Sequence, residues 1–175
     1  MRDYFLRTAR LGFDRWSDAD LSLAISLWGD PRVTALIDAR STLNECEVRD
    51  RLESEIALFA THGVQYFPIF LLEGETFVGC CGLRPYLKAP GTLEVGVHVR
   101  PDFWRRGIAF EASNAMIEFA FRTTDAGVVM MGHHPTNAPS RALIEKLGFE
   151  LSHTERYEAT GLDHPAYMKH RPSAP

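Results

Sequence analysis

The stretch from Val97 to Ala109 contains the residues whose types and order best suit chemistry. It reads Val-His-Val-Arg-Pro-Asp-Phe-Trp-Arg-Arg-Gly-Ile-Ala, the pattern of a strand, a turn and the start of a helix. A helix start offers free backbone N–H groups and the positive end of the helix dipole, which suit a phosphate or pyrophosphate. Gly107 lets the backbone approach such an anion, and Ala109 leaves room for it. Arg105 and Arg106, directly before the glycine, add charge and donors. The pattern predicts an anion site, with a solvated turn as the alternative.

A carboxylate, Glu94, lies in the otherwise apolar strand pattern that leads into this turn. Burial of a carboxylate raises its pKa and suits it to act as a general base, directly or through a water. Two alternatives stay open for Glu94. It faces solvent on the alternate side of the strand, or it makes a structural hydrogen bond.

Two separated segments carry a resemblance to a known family. The first is Glu94-Val95-Gly96-Val97-His98-Val99 followed by Pro101-Asp102-Phe103-Trp104-Arg105-Arg106-Gly107-Ile108-Ala109-Phe110-Glu111-Ala112. The second is Asn137-Ala138-Pro139-Ser140-Arg141-Ala142-Leu143-Ile144-Glu145-Lys146-Leu147-Gly148-Phe149. In this order and at this separation they resemble the GCN5-related N-acetyltransferase (GNAT) superfamily, in particular its RimJ/RimL-like branch. The usual Gly-Lys before the motif glycine is Arg105-Arg106 here.

The resemblance implies that an acyl-CoA binds between two central strands that splay apart. Val97, His98 and Val99 then present backbone groups to the pantetheine arm. The turn and helix start hold the pyrophosphate, through Arg105, Arg106, Gly107, Ile108 and Ala109. Asn137 and Ser140 match family positions near the pantetheine and the thioester.

Ser140 is the second catalytic candidate, because its hydroxyl suits a hydrogen bond to the thioester sulfur or protonation of the thiolate. The alternative is a helix cap, a role that serine favours. Tyr157 is a weaker candidate acid, since a strand tyrosine is usually a packing residue. None of the three cysteines lies in the matched motifs, which argues against a cysteine nucleophile.

The function expected from the resemblance is acetyl-CoA-dependent N-acetyl transfer to a primary amine, by direct attack in a ternary complex. Acceptors in the branch include protein N-termini, notably of ribosomal proteins, and small-molecule amines. The acceptor pocket is expected near Trp28 to Arg40 and Tyr157 to Tyr167, and a homodimer is common among relatives. A non-catalytic acyl-CoA-binding or regulatory module and an unrelated phosphate-binding α/β domain are the alternatives.

Length and composition restrict the remaining classes. The 175 residues, with a net charge of −4 and 45% hydrophobic residues, fit one globular domain over 1–175. That charge disfavours nucleic acid as a partner, and no apolar run reaches the roughly 18–20 residues of a membrane span. Scattered charges at the start disfavour an export signal, so we expect a cytoplasmic protein with reduced cysteines. The adjacent pair His133-His134 is expected to be structural, with no metal, because neighbours on a strand point to opposite faces.

The elements that must position these residues follow from hydrophobic periodicity and turn signals. The predicted order is β-α-α-β-β-β-α-β-α-β-β, with LRTARLGFDR as the first strand. Capping boxes are predicted at Ser17/Asp20 and Thr42/Glu45, and Pro68 is predicted to mark a sheet edge or a bulge. Gly96, inside a strand, indicates a bulge or a close approach of another backbone or a ligand. The fold class is mixed α/β, the GNAT acyltransferase fold. Its sheet is expected to be largely antiparallel, with about six or seven strands flanked by about four helices.

Overall fold

A single eight-stranded sheet runs through the computed structural model, which describes residues 2–37 and 42–172. The strands are β1 (Leu6–Arg7), β2 (Leu11–Phe13), β3 (Tyr66–Leu71), β4 (Thr76–Pro85), β5 (Thr92–Val99), β6 (Val128–Gly132), β7 (Glu150–Tyr157) and β8 (Leu162–His170). The helices are α1 (Leu21–Trp28), α2 (Pro31–Thr34), α3 (Glu45–His62), α4 (Ile108–Thr123) and α5 (Ala138–Lys146). The mixed α/β class is confirmed.

The counts of elements exceed the expectation by one strand and one helix in the described part. The predicted first strand is a hairpin, because the chain turns between Arg7 and Leu11 and β1 pairs antiparallel with β2. The extra helix is α2, one turn that begins at Pro31 and is capped by the side chain of Asp30. Proline at the first helical position is favourable, so the signal that ends α1 also starts α2.

The sheet order is β1-β2-β3-β4-β5-β6-β8-β7, and every neighbouring pair is antiparallel except β5 and β6. The parallel pairing of β5 with β6 covers only Thr92–Glu94 and Val128–Met130. On its other edge β5 pairs with β4 over its full length, from Leu93 to Val99. Beyond Glu94 the two central strands therefore separate, as the resemblance implied.

Helices cover both faces of this sheet. On one face α4 and α5 bury a core that includes Ile108, Met116 and Ile144. On the other face α1 and α3 pack over Tyr66 and Cys80 of the sheet, and Trp28 at the end of α1 is buried in the same cluster. Because side chains alternate along a strand, β5 sends Val95, Val97 and Val99 to the α4 face and Glu94 and His98 to the α1/α3 face.

The local signals at helix ends are partly confirmed. The capping box at Ser17/Asp20 is present, and α3 ends at Gly63 with φ of +69°. The box predicted at Thr42/Glu45 is wrong, because Asn44 and Glu47 form it two residues later. An edge at Pro68 is also wrong, since β3 lies between β2 and β4, but a register shift follows at Ile69/Phe70. Within the described ranges, no helix has the length and apolarity to cross a membrane.

Candidate active site

A cleft opens where β5 and β6 separate. Its walls come from both strands, the start of α5, the β7–β8 hairpin, α3 and the chain after α2. The lining side chains that bear on chemistry are Arg51, Tyr66, Arg84, Glu94, His98, His133, His134, Asn137, Ser140, Glu155, Tyr157 and His164. Leu36 and Ile37 also line it, so both segments expected to form the acceptor pocket contribute, although residues 38–40 lie outside the described part.

Glu94 projects into this cleft from the last residue of β5 that pairs with β6. It accepts a hydrogen bond of 2.9 Å from the hydroxyl of Tyr66, and the Arg84 guanidinium lies 4.2 Å from the centre of the same tyrosine ring. Burial raises the pKa of Glu94, although the Tyr66 hydrogen bond and the charge of Arg84 act in the opposite direction. Glu94 lines the cleft instead of an open face of the sheet, and its contact with Tyr66 is the hydrogen bond that the second alternative described.

The Tyr66 ring packs directly on the backbone of β5 at position 96, where only glycine leaves room for it. A Cβ placed on Gly96 would lie 2.1 Å from the Tyr66 ring, so any larger residue would displace the tyrosine. The sequence predicted a bulge or the approach of a backbone or ligand at Gly96, and the group that approaches it is instead the side chain of Tyr66. The ring of Tyr66 therefore lies across β5 between the side chains of Glu94 and His98, with its centre 5.6 Å from that of the imidazole.

Glu55 anchors Tyr66 and Arg84 from α3. Its side chain is completely buried, forms an ion pair with Arg84, and accepts a hydrogen bond of 2.9 Å from the backbone N–H of Tyr66. Burial by itself lowers the pKa of Arg84. Tyr66 and the carboxylates of Glu55 and Glu94 raise it by more, so the pKa of Arg84 lies above its ordinary value. Arg84 is therefore a permanent cation whose charge Glu55 balances.

His98 contributes its side chain to the cleft, whereas the resemblance implied only its backbone. The indole N–H of Trp28 donates to Nδ1 of His98 over 3.2 Å. Because an indole nitrogen only donates, Nδ1 must accept and the proton lies on Nε2. Burial, together with the charges of Arg51 and Arg84, holds the pKa of His98 well below its ordinary value. The imidazole is therefore neutral and acts as a donor.

The predicted anion site lies at the turn into α4. Gly107 is its N-cap with φ of +74°, and Arg105, a non-glycine residue, also has positive φ of +61°. The first intrahelical hydrogen bond comes from the N–H of Glu111, so the N–H groups of Ile108, Ala109 and Phe110 precede it and suit an anion. Ile108 itself is buried, which leaves only its backbone for that role.

Contacts from the β1–β2 hairpin fix this turn. Arg10 donates to the carbonyl of Arg106 over 3.0 Å and forms a 2.6 Å ion pair with Glu111 on α4. Trp104 is half-exposed, and its indole N–H donates over 2.6 Å to the carbonyl of Val99, so it anchors the turn. A positive φ at Arg105 is unfavourable for an arginine, and such backbone often marks a ligand contact.

At the other wall of the cleft, α5 is capped by Asn137 and not by Ser140, the residue for which the sequence suggested a cap. Asn137 is the N-cap of α5, and its side chain accepts a hydrogen bond of 3.1 Å from the backbone N–H of Ser140. The cap alternative for Ser140 is therefore wrong. Its half-buried hydroxyl lines the cleft and has no hydrogen-bond partner among residues 2–37 and 42–172.

This assignment makes a stability prediction. Asn137→Ala removes the cap and should lower the free energy of unfolding by about 1 kcal/mol, whereas Ser140→Ala should change it by less than about 0.5 kcal/mol. Urea denaturation followed by far-UV circular dichroism measures both. An equal loss in the two variants would contradict the assignment of the cap to Asn137.

The remaining polar residues of the cleft are packed against one another. The ring of Tyr157 lies 4.8 Å from that of His164, and His133 is buried with Nδ1 close to the carbonyl of His134. In the described ranges, no three histidine, cysteine or acidic side chains converge as a metal site. Cys80 and Cys81 are buried free thiols, and burial raises the pKa of Cys81 to about 12, which leaves it protonated and unreactive.

Sequence reasoning missed Arg51, Glu55, Tyr66 and Arg84. A signal existed for two of them, because Arg51 and Glu55 fall within the apolar stripe of α3 that includes Val48 and Leu52. Charged residues at such positions need buried partners. The pattern could not show that Glu55 pairs with Arg84, 29 residues away, or that Tyr66 bonds to Glu94, 28 residues away.

Comparisons with known proteins agree with this arrangement. The acetyltransferase (GNAT) domain model matches residues 10–150. The chain is 25% identical over 145 residues to the uncharacterized N-acetyltransferase p20 of Bacillus licheniformis, covering 83% of this chain and 82% of p20. It is 30% identical over 139 residues to the L-methionine sulfoximine/L-methionine sulfone acetyltransferase of Pseudomonas aeruginosa, covering 77% of each.

A solved structure extends the likeness in fold. The RimL ribosomal L7/L12 alpha-N-protein acetyltransferase in complex with coenzyme A superposes with a TM-score of 0.80 at 14% identity, covering 96% of this chain and 98% of RimL. The opened sheet, the helix start after β5 and the match over residues 10–150 lead to one conclusion. The chain belongs to the acetyltransferase (GNAT) domain family and is an acyltransferase enzyme.

Proposed function

We propose that this enzyme transfers an acetyl group from acetyl-CoA to a primary amine by direct attack in a ternary complex. The observation that carries the proposal is the separation of β5 from β6 beyond Glu94, which frees one strand edge beside a cleft that contains a carboxylate. The acceptor is a protein N-terminus, such as that of a ribosomal protein, or a small-molecule amine. Residues 1–175 act as one domain, and the free thiols suit a cytoplasmic enzyme.

Three parts of the chain would bind acetyl-CoA. The edge of β5 at Val97, His98 and Val99 offers backbone groups for strand-like pairing with the pantetheine arm. The start of α4, from Gly107 to Ala109, offers N–H groups to the pyrophosphate, and the exposed side chains of Arg105 and Arg106 add positive charge. Asn137 and Ser140 border the cleft from the opposite wall.

Transfer needs a neutral amine held close to the thioester carbonyl and a proton for the leaving thiolate. Glu94 accepts the amine proton, directly or through a water, and its raised pKa brings it closer to the working pH. The new C–N bond forms as the C–S bond breaks. The hydroxyl of Ser140, or that of Tyr157, supplies a proton or a hydrogen bond to the departing sulfur. Positioning in the cleft accounts for much of the rate, because amines attack thioesters readily.

A two-part experiment tests the proposal. Isothermal titration calorimetry measures binding of acetyl-CoA to the full chain, and we expect a single site. Release of the CoA thiol is then followed with an amine panel of peptides beginning with Ser, Ala or Met, polyamines, aminoglycosides and amino acids. Amine-dependent thiol release is the expected result. Binding of acetyl-CoA without thiol release for any amine would instead favour the non-catalytic module, and no binding would overturn the proposal.

A further inference from the structure

Arg51 is the one arginine of the cleft wall that no carboxylate balances among the residues that the structure describes. Its guanidinium lies 4.8 Å from the centre of the Trp28 ring, and its Nε is buried without a hydrogen-bond partner. Glu55, one helical turn along α3, is already engaged by Arg84 and the backbone N–H of Tyr66. Arg51 as a whole is half-buried, but a buried guanidinium N–H without an acceptor is unfavourable unless a ligand completes it.

Three donors surround the same part of the cleft. Arg51, Arg84 and His98 all line this cleft. Trp28 joins two of them, because its ring lies 4.8 Å from the Arg51 guanidinium and its indole N–H donates to the His98 imidazole. The imidazole is neutral and carries its proton on Nε2, because Nδ1 accepts from Trp28. Nε of Arg84 is also buried without a hydrogen-bond partner in the described part of the chain. Of the carboxylates nearby, Glu55 is paired with Arg84, and Glu94 accepts the hydrogen bond of the Tyr66 hydroxyl.

The β7–β8 hairpin on the far side of the cleft leaves this charge unbalanced. Its acidic residue there, Glu155, is bound by Lys88 over 3.0 Å and accepts from Tyr86. His164 and His134 add no negative charge. The acceptor side of the cleft therefore has a carboxylate at Glu94, suited to an amine, and a cationic donor group at Arg51 and His98, suited to an anion.

We propose that the amine acceptor carries a carboxylate and that Arg51, with the Nε2–H of His98, binds it. The inference rests on the proposed function, since it names the class of acceptor for the same cleft. The acceptor is then a free amino acid whose amine faces Glu94 and whose carboxylate faces Arg51. A peptide N-terminus has an amide at the corresponding position, and a polyamine or aminoglycoside has no anion, so all three are disfavoured.

Binding calorimetry with a matched pair of acceptors tests this inference. The pair is L-methionine sulfone and L-methionine sulfone amide, which differ only in the carboxylate, each titrated into the full chain saturated with CoA. We expect the acid to bind about 10- to 100-fold more tightly than the amide, the size of a charged hydrogen-bonded contact. In Arg51→Gln this ratio should fall to about twofold. The ratio is measured within one variant, so a general loss of stability does not change it.

Arg49→Gln is the matched control, because Arg49 is half-exposed on the same helix, pairs with Glu45 and does not line the cleft as described. It should keep the wild-type ratio. Four outcomes would each overturn the inference. They are equal binding of acid and amide, no binding of either, tighter binding of a peptide beginning with Ser, and a wild-type ratio in Arg51→Gln. Acetyl-CoA binding and thiol release with another amine would persist in those cases if the proposed function is correct, so the two failures are distinguishable.

Discussion

Glu94→Gln is expected to lower kcat by about 10²- to 10⁴-fold while acetyl-CoA binds with nearly unchanged affinity. The substitution keeps the shape of the side chain and an oxygen that accepts from the Tyr66 hydroxyl, which lies 2.9 Å away. It removes the proposed base, the carboxylate that we propose takes the proton of the attacking amine. Steady-state kinetics with the best amine of the panel measures kcat, and calorimetry measures the dissociation constant of acetyl-CoA.

The pH dependence of the wild-type enzyme follows from the same carboxylate. Glu94 acts as base only when ionised, and burial raises its pKa above the ordinary value. Activity should therefore be lost as the pH falls through this raised pKa. The profile is measured with an acceptor amine of low pKa, so that the amine stays neutral over the range. Tyr66→Phe removes a hydrogen bond that favours the ionised form of Glu94, so the loss of activity at acidic pH should begin at a higher pH in this variant. In Glu94→Gln this acidic loss of activity should be absent.

Stability gives an independent check on the substitution. A carboxyl whose pKa is higher in the folded than in the unfolded state destabilises the fold once the pH exceeds the unfolded value of about 4.3. Glu94→Gln removes this effect, so the variant should be at least as stable as the wild type at neutral pH. Glu53→Gln, an exposed change on α3, is the control for kinetics. A kcat for Glu94→Gln within threefold of the wild-type value would contradict the assignment of the base.

Local signals were sufficient for much of the fold. The turn at Gly29 to Pro31, the hairpin at Glu73 to Glu75 and the helix that opens after Gly107 all depend on residues within a few positions of one another. The capping box of α3 was misplaced because Thr42/Glu45 and Asn44/Glu47 both have the required spacing. Asn44 forms it because the helix begins at Glu45, which the phase of the apolar stripe alone does not fix.

The chemistry of the cleft depends on contacts that no local pattern contains. Glu94 was identified as a carboxylate in an apolar strand, but its hydroxyl donor lies 28 residues away. Arg84 and Glu55 are 29 residues apart, and Trp28 and His98 are 70 residues apart. The sheet order β3-β4-β5 brings these residues to one face, and that order is a property of the whole fold. Sequence therefore indicated the acyl-CoA side better than the acceptor side.

The acyl-CoA side is tested by Gly107→Val, which should weaken acetyl-CoA binding by at least tenfold. Gly107 caps α4 at φ of +74°, a conformation that is unfavourable for a β-branched residue. Space is not the obstacle, because an added Cβ would meet only a terminal nitrogen of Arg10, at 3.5 Å. The turn is instead expected to relax its backbone, which would rotate the N–H groups of Ile108 and Ala109 away from the pyrophosphate.

A second glycine of the chain separates this effect from simple backbone strain. Gly63 ends α3 at φ of +69°, has open space around its Cβ position, and lies outside the residues that line the cleft. Gly63→Val should therefore lose stability comparably, by about 1 to 2 kcal/mol, because both valines adopt the same unfavourable backbone. Only Gly107→Val should lose affinity for acetyl-CoA in calorimetry. Equal affinities in the two variants would show that the start of α4 does not bind the pyrophosphate.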